Sequence, residues 1–121
     1  MKRLFNSFRN GFRGIGQTIL SEPNFRIHLL ATVVAVGLGY YFRLTTTEWL
    51  MIALAIGMVL AAEAFNTALE DLADAVHPGK HPLVGKAKDA AAAGVLIAAI
   101  AAAVLGGIVF GPKLWMWLNT L

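Results

Sequence analysis

Glu63, Asn66, Thr67, Glu70 and Asp74 recur at i, i+3, i+4, i+7 and i+11, a spacing that puts them on one face of a helix. The thirteen residues before them, LMIALAIGMVLAA, hold no charge. A carboxylate inside so apolar a helix costs roughly 2.5–3.5 kcal/mol to insert, so it normally faces protein or water and has a task. Two chemistries suit these side chains. Carboxylates at the end of the stripe can hold a divalent cation, and a carboxylate placed deeper can accept a proton. Glu63 lies about 10 Å along the helix from Glu70 (seven residues at ~1.5 Å each), so Glu70 and Asp74 reach the membrane surface while Glu63 sits below it. The structural alternative is that Glu63 and Asn66 only pair with neighbouring helices. Asp71 and Asp74 can equally be solvated helix-end charges.

Composition decides what kind of element carries the stripe. At 58% hydrophobic, 14% charged and a mean hydropathy of +0.67, the 121-residue chain is too apolar for a soluble domain of its size and reads as one membrane domain, residues 1–121. Residues 90–112 are 23 in a row without a charge, enough to cross a hydrocarbon core of ~30 Å. Residues 49–69 are interrupted only by Glu63. Residues 27–42 form a shorter third stretch, which Arg26 and His28 can extend by snorkelling. The expectation is an all-α membrane protein with transmembrane helices near 26–43, 48–71 and 87–111. There is no cysteine from which to read a redox compartment, and no cleavable signal follows the basic start.

Basic residues set the expected orientation. Lys2, Arg3, Arg9, Arg13, Arg26, Lys80, Lys86 and Lys88 lie in the N-terminal segment or the 71–89 region, and only Arg43 and Lys113 lie at the opposite ends of the spans. Eight against two puts the N-terminus in the cytoplasm and the C-terminus outside. The same distribution explains a net charge of +3 without nucleic acid as partner. Residues 1–22 read as an amphipathic surface helix, with Leu4, Phe8, Phe12, Ile15 and Ile19 on one face and Arg9, Asn10, Arg13 and Gln17 largely elsewhere. Pro23 breaks that helix, leaving Glu22 at the corner where the chain turns into the membrane. LTTTEW (44–49) reads as a short external turn, AVHPGKHPLVG (75–85) as a loop, and Trp115 and Trp117 as interfacial anchors.

GKHPLVGKAKD superficially resembles a phosphate-binding P-loop. Five residues separate Gly79 from Gly85 where four are needed, Ala87 replaces the hydroxyl, and no strand precedes it, so the motif is rejected. Lys80, His81, Lys86 and Lys88 still gather positive charge at the level of Glu70 and Glu22. Lys88-Asp89 opens a helix, where anions are favoured. Cation-binding carboxylates, phosphate-binding cations and one semi-buried acid therefore meet at the membrane surface. That layout suits phosphoryl transfer from water-soluble ATP to a lipid alcohol, since Mg²⁺ binds through one or two carboxylates plus substrate phosphates.

These residues also carry a resemblance. E-x-x-N-T-A-x-E from Glu63 to Glu70, then Asp74, then A-K-D-x-A-A from Ala87 to Ala92, resembles the signature of the small integral-membrane prokaryotic diacylglycerol kinases. Ser21-Glu22-Pro23-Asn24-Phe25-Arg26-Ile27-His28, His81-Pro82-Leu83 and Pro112-Lys113-Leu114 resemble the branch that acts as undecaprenol kinases. The resemblance implies a homotrimeric helical bundle in the bacterial inner membrane, with an N-terminal surface helix and three transmembrane helices per subunit. It implies active sites between subunits that use ATP and Mg²⁺. By the same resemblance Glu63 is the general base, and Glu22 and Glu70 ligate magnesium on the nucleotide phosphates. Arg3, Gly79, Lys80, His81, Lys88 and Asp89 bind nucleotide with Glu22 and Glu70, and Asn66 supports the site. Asn10 stands where the diacylglycerol-acting branch carries a tyrosine, so no nucleotide role is carried over to it.

The expected activity is ATP- and Mg²⁺-dependent phosphorylation of a membrane lipid alcohol, undecaprenol first and diacylglycerol as the alternative. A small proton-coupled exporter would also hold an intramembrane acid. Such a chain usually carries it in the first of four spans and has no reason to gather Glu22, Glu70 and Lys88-Asp89 at one surface. A noncatalytic membrane subunit explains the stripe less well still. The charge asymmetry has a direct check: cysteines placed at positions 80 and 119 should label from opposite sides with a membrane-impermeant reagent. Labelling from the same side would contradict the three-span topology.

Overall fold

The computed structural model describes residues 1–121 as four helices and no strand: α1 (Lys2–Ser21), α2 (Pro23–Tyr41), α3 (Thr46–Val76) and α4 (Pro82–Asn119). One residue, Glu22, separates α1 from α2. Its backbone is extended (φ −116°, ψ 107°), its N–H closes α1 on the Thr18 carbonyl at 2.9 Å, and Pro23 opens α2. The two helices bend by 106° there. Proline restricts the residue before it to extended backbone, so the corner follows from the Glu22-Pro23 step.

The turn from α2 to α3 uses no glycine. Phe42 caps α2 and Arg43 takes the left-handed conformation (φ 54°). The Leu44 N–H reaches back to the Gly39 carbonyl at 3.0 Å, and the Arg43 N–H to Tyr40 at 3.3 Å. This is a Schellman closure, and its hydrophobic partner Leu44 is buried against Ile52 and Val109. Thr45 then caps α3 in a reciprocal capping box with Glu48.

α3 and α4 form the most extensive pair, and their ends show that they run antiparallel. Glu48 at the start of α3 meets Lys113 near the end of α4 at 3.2 Å, and Asp74 near the end of α3 meets Lys88 near the start of α4. At ~1.5 Å per residue, the 31 residues of α3 rise about 46 Å, well beyond a ~30 Å hydrocarbon core, so both clamps fall toward its edges. α3 and α4 are each long and apolar enough to cross a membrane; a third crossing arises if the bent α1–α2 pair counts as one. Asn24, Arg26 and His28 make the start of α2 more polar than either long helix.

Two segments differ from the sequence reading. The loop is shorter than 75–85: α3 continues to Val76, and α4 begins at Pro82, where the ring occupies a first-turn position that needs no N–H. His81 caps α4 by accepting the Leu83 N–H on Nδ1 at 3.1 Å. At the other end α4 runs through Pro112 to Asn119 instead of stopping near 111. The turn beyond the proline is held from outside, by Lys113 on Glu48 and by the Trp117 indole N–H donating to the Tyr41 hydroxyl at 3.1 Å. Trp117 is thus an interhelical tie.

Close approach of α2 to α3 depends on Gly39. A methyl group there would lie 2.5 Å from Trp49 Cη2, whereas one at Gly37 meets nothing within 4 Å. Overpacking a fitted contact costs about 1–3 kcal/mol, more than the ~1 kcal/mol that alanine gains over glycine in a helix. Gly39→Ala should therefore lower the thermal midpoint in detergent relative to Gly37→Ala. Equal midpoints would contradict this close packing.

Candidate active site

Burial along the α3 stripe falls in steps toward the 77–81 loop. Glu63 and Thr67 are buried, Asn66 and Glu70 half-buried, and Asp74 exposed. Glu63, 5% exposed, is the only buried residue with an ionisable side chain. A buried carboxylate needs a partner, and α2 supplies one: His28 Nε2 stands 3.1 Å from Glu63 Oε1. One turn along, the Asn66 side-chain oxygen is buried and has no hydrogen-bond partner. An unsatisfied buried polar atom costs about 1–3 kcal/mol, which makes Asn66 Oδ1 a natural receptor for a donor from outside the single chain.

The stripe does not face one neighbour. Glu63 turns to α2, and Asp74 turns to α4 and pairs with Lys88. Thr67 lines a cleft between α1 and α3 with Gly11, Gly14, Thr18 and Asp71. Asp74 is therefore part of an interhelical pair and not only a solvated helix-end charge. Lys88 is half-buried beside it, while Asp89 is exposed on the same turn. Arg3 is exposed in the first turn of α1, and Gly79, Lys80 and His81 are exposed in or beside the short loop. The His81 ring packs edge-on against His77, with centroids 5.0 Å apart, in addition to capping α4.

Glu22 at the α1–α2 corner and Glu70 on α3 are both half-buried. No three histidine or acidic side chains gather closely enough to form a metal cage. Carboxylate oxygens are nonetheless the donors magnesium prefers, and two of them suffice when phosphates complete its shell. The donor set thus fits a cation that arrives with a nucleotide.

Beside the Glu63–His28 contact lies an apolar cavity of about 270 Å³ between α2, α3 and α4. His28 is part of its wall, Ala31, Ala35, Ala55 and Gly106 keep it open, and Phe110 contributes further along. The Thr32 hydroxyl, also in the wall, is satisfied by the His28 carbonyl at 2.8 Å. From the sequence, His28 is a residue that can snorkel and the last position of the segment that resembles the undecaprenol kinase branch, with no role in the site. The signal that points further is an ionisable side chain inside an apolar helical run, which in a membrane is a site candidate by default.

Comparison with known proteins gives the chemistry a family. Residues 9–110 match the family model described as prokaryotic diacylglycerol kinase. The chain belongs to the prokaryotic diacylglycerol kinase family. It is 38% identical over 114 residues to the undecaprenol kinase of Bacillus subtilis (strain 168), covering 94% of this chain and 93% of that one. It is 37% identical to a diacylglycerol kinase of Synechocystis over 92% of this chain and 64% of the relative. A diacylglycerol kinase of Haemophilus influenzae is 30% identical over 91% and 94%. Membership makes the chain a lipid kinase and sets aside the exporter and the noncatalytic subunit.

Proposed function

We propose that the chain transfers the γ-phosphoryl group of ATP to the hydroxyl of undecaprenol, making undecaprenyl phosphate. The observation that carries the reading is a buried carboxylate, Glu63, held against His28, which lines an apolar cavity. A lipid alcohol is anchored by its chain, so its hydroxyl meets the protein near the edge of the hydrocarbon. A base for it must stand at that depth, where a water-exposed carboxylate would be out of reach. Glu63 takes the hydroxyl proton as the oxygen attacks phosphorus, and the bond to the bridging oxygen of ADP breaks on the opposite side.

Glu22 and Glu70 hold the magnesium that accompanies ATP, and that ion supplies charge neutralisation on the phosphates. Arg3, Gly79, Lys80, His81, Lys88 and Asp89 form the nucleotide surface with them. Asn66 offers its free oxygen to a donor at the site. The choice of undecaprenol rests on the similarity to the Bacillus subtilis undecaprenol kinase. Diacylglycerol is the second reading, favoured by the names of the Synechocystis and Haemophilus influenzae relatives.

The working unit in this proposal is a homotrimer in the bacterial inner membrane, one kinase domain per chain. Three spans cross per subunit, with the N-terminus cytoplasmic and the C-terminus outside. Only 10 of 121 residues are buried within one chain, and long apolar side chains such as Leu54, Leu96, Ile100 and Val104 are exposed, which supports both lipid and other copies as covering. The exposed Leu4, Phe5, Phe8 and Phe12 of α1 support a helix lying on the membrane surface.

Three substitutions separate the roles. Glu63→Gln should fold and bind MgATP yet phosphorylate lipid at least about a hundredfold more slowly, the scale of a lost general base. Glu22→Gln and Glu70→Gln should instead lose the thermal stabilisation that MgATP gives the folded protein, which is about 2.7 kcal/mol at a hundred times Kd. Asp71→Asn, in the α1–α3 cleft, serves as the control and should change neither. Near-normal turnover of Glu63→Gln under saturating lipid would make Glu63 structural and move the search for the base to Asp89.

A further inference from the structure

We infer that His28 is the positioning residue of Glu63, holding one carboxylate oxygen so that the other faces the lipid hydroxyl. This rests on Glu63 being the base, and it adds His28 to the residues given roles under the proposed function. Two lysine–carboxylate pairs and one histidine–carboxylate contact tie the helices of the chain together. The lysine pairs, Glu48–Lys113 and Asp74–Lys88, lie near helix ends, and only His28–Glu63 lies inside the packed helices. The partners come from different helices, α2 and α3, so the contact fixes the glutamate across the packing seam and not merely along its own helix.

The chemistry of the two groups sets their roles. An ionised carboxylate only accepts protons, so the nitrogen that approaches it, Nε2, must carry one. In the neutral ring this assigns Nδ1 as the unprotonated nitrogen. Nε2 lies 3.1 Å from Oε1, which leaves Oε2 as the oxygen available to a substrate. The glutamate side chain is 7% exposed and the imidazole 27%, so the imidazole screens one side of a carboxylate that is otherwise enclosed. His28 also belongs to the wall of the apolar cavity, so the residue that touches the carboxylate borders that space as well.

A glutamate has three rotatable bonds, and a base must stand within hydrogen-bond reach of the proton it takes. A base oriented by a third group is the general solution to that problem. Displacement by about 1 Å can cost about a hundredfold in rate. Loss of the imidazole should therefore act on turnover and leave the nucleotide site, which lies toward the loop, unaffected.

The test is a mutant cycle in purified protein reconstituted into vesicles, read as kcat and KM for lipid and MgATP and as thermal stabilisation by MgATP. His28→Ala should lower kcat by about ten- to a hundredfold, with the KM and the stabilisation for MgATP unchanged. His28→Gln, which keeps an N–H donor at similar reach, should recover most of that loss. The double variant His28→Ala/Glu63→Gln should be no slower than Glu63→Gln alone, since a residue that acts through the base has nothing left to position. Turnover of His28→Ala within about threefold of the unsubstituted protein would overturn the assignment, as would a glutamine variant as slow as the alanine one or multiplicative losses in the double variant. Loss of MgATP stabilisation in His28→Ala would make the pair a packing element and overturn it too. The two readings fail differently: a fast Glu63→Gln removes the base itself, whereas a slow Glu63→Gln beside a fast His28→Ala removes only the role of His28.

Discussion

Glu63 brings a carboxylate into an apolar helix, and much of the helix arrangement follows from giving it surroundings it can tolerate. α2 must come close enough to α3 for an imidazole to touch that carboxylate. At the other end of α2 the same closeness requires Gly39, whose missing side chain leaves room for the Trp49 ring. The 106° corner at Glu22 places the start of α2, and with it His28, within six residues of the point where the chain turns out of α1. Moving any of these elements would leave Glu63 buried without its partner, which costs far more than an exposed pair ever contributes.

The other charges are handled differently because they stand nearer water. Asp74–Lys88 and Glu48–Lys113 clamp the two ends of the α3–α4 pair, where solvent screens much of their attraction. Their value is in register. They hold the long helices antiparallel with the Lys88-Asp89 turn beside the end of the stripe. The polar face of α3 is thereby divided: a buried carboxylate within the bundle, and half-buried or exposed ones toward the loop, where a soluble nucleotide can arrive.

Much of this was legible in the residues. The i, i+3, i+4, i+7 recurrence exposed the stripe because helical periodicity is a local property, and Pro23 marked the corner because its steric effect reaches only one residue back. The motif around Glu63, Glu70 and Lys88-Asp89 was specific enough to point to the family that the comparison shows. What escaped was non-local. Arg43 takes a left-handed turn that usually signals itself through glycine, and here Leu44 burial and the Schellman bonds hold it. α4 passes Pro112 because ties to Glu48 and Tyr41 hold the turn beyond it. His28 meets Glu63 across 35 positions of chain, and nothing in the spacing of either helix encodes which partner an isolated histidine will find. The grouping of Glu22 with Glu70 is a matter of chemistry and resemblance, since neither spacing nor a single chain's side-chain clusters express it.

The central claim is that this buried base serves a single-chain polyprenol alcohol with MgATP as donor. Its most direct test is transfer of labelled γ-phosphate from ATP by the purified, reconstituted protein to undecaprenol and, separately, to diacylglycerol, each with and without Mg²⁺. The account predicts Mg²⁺-dependent labelling of undecaprenyl phosphate and at most minor labelling of phosphatidic acid, with kcat/KM favouring undecaprenol by at least about tenfold. Equal or preferential labelling of diacylglycerol, or transfer that persists without Mg²⁺, would contradict it.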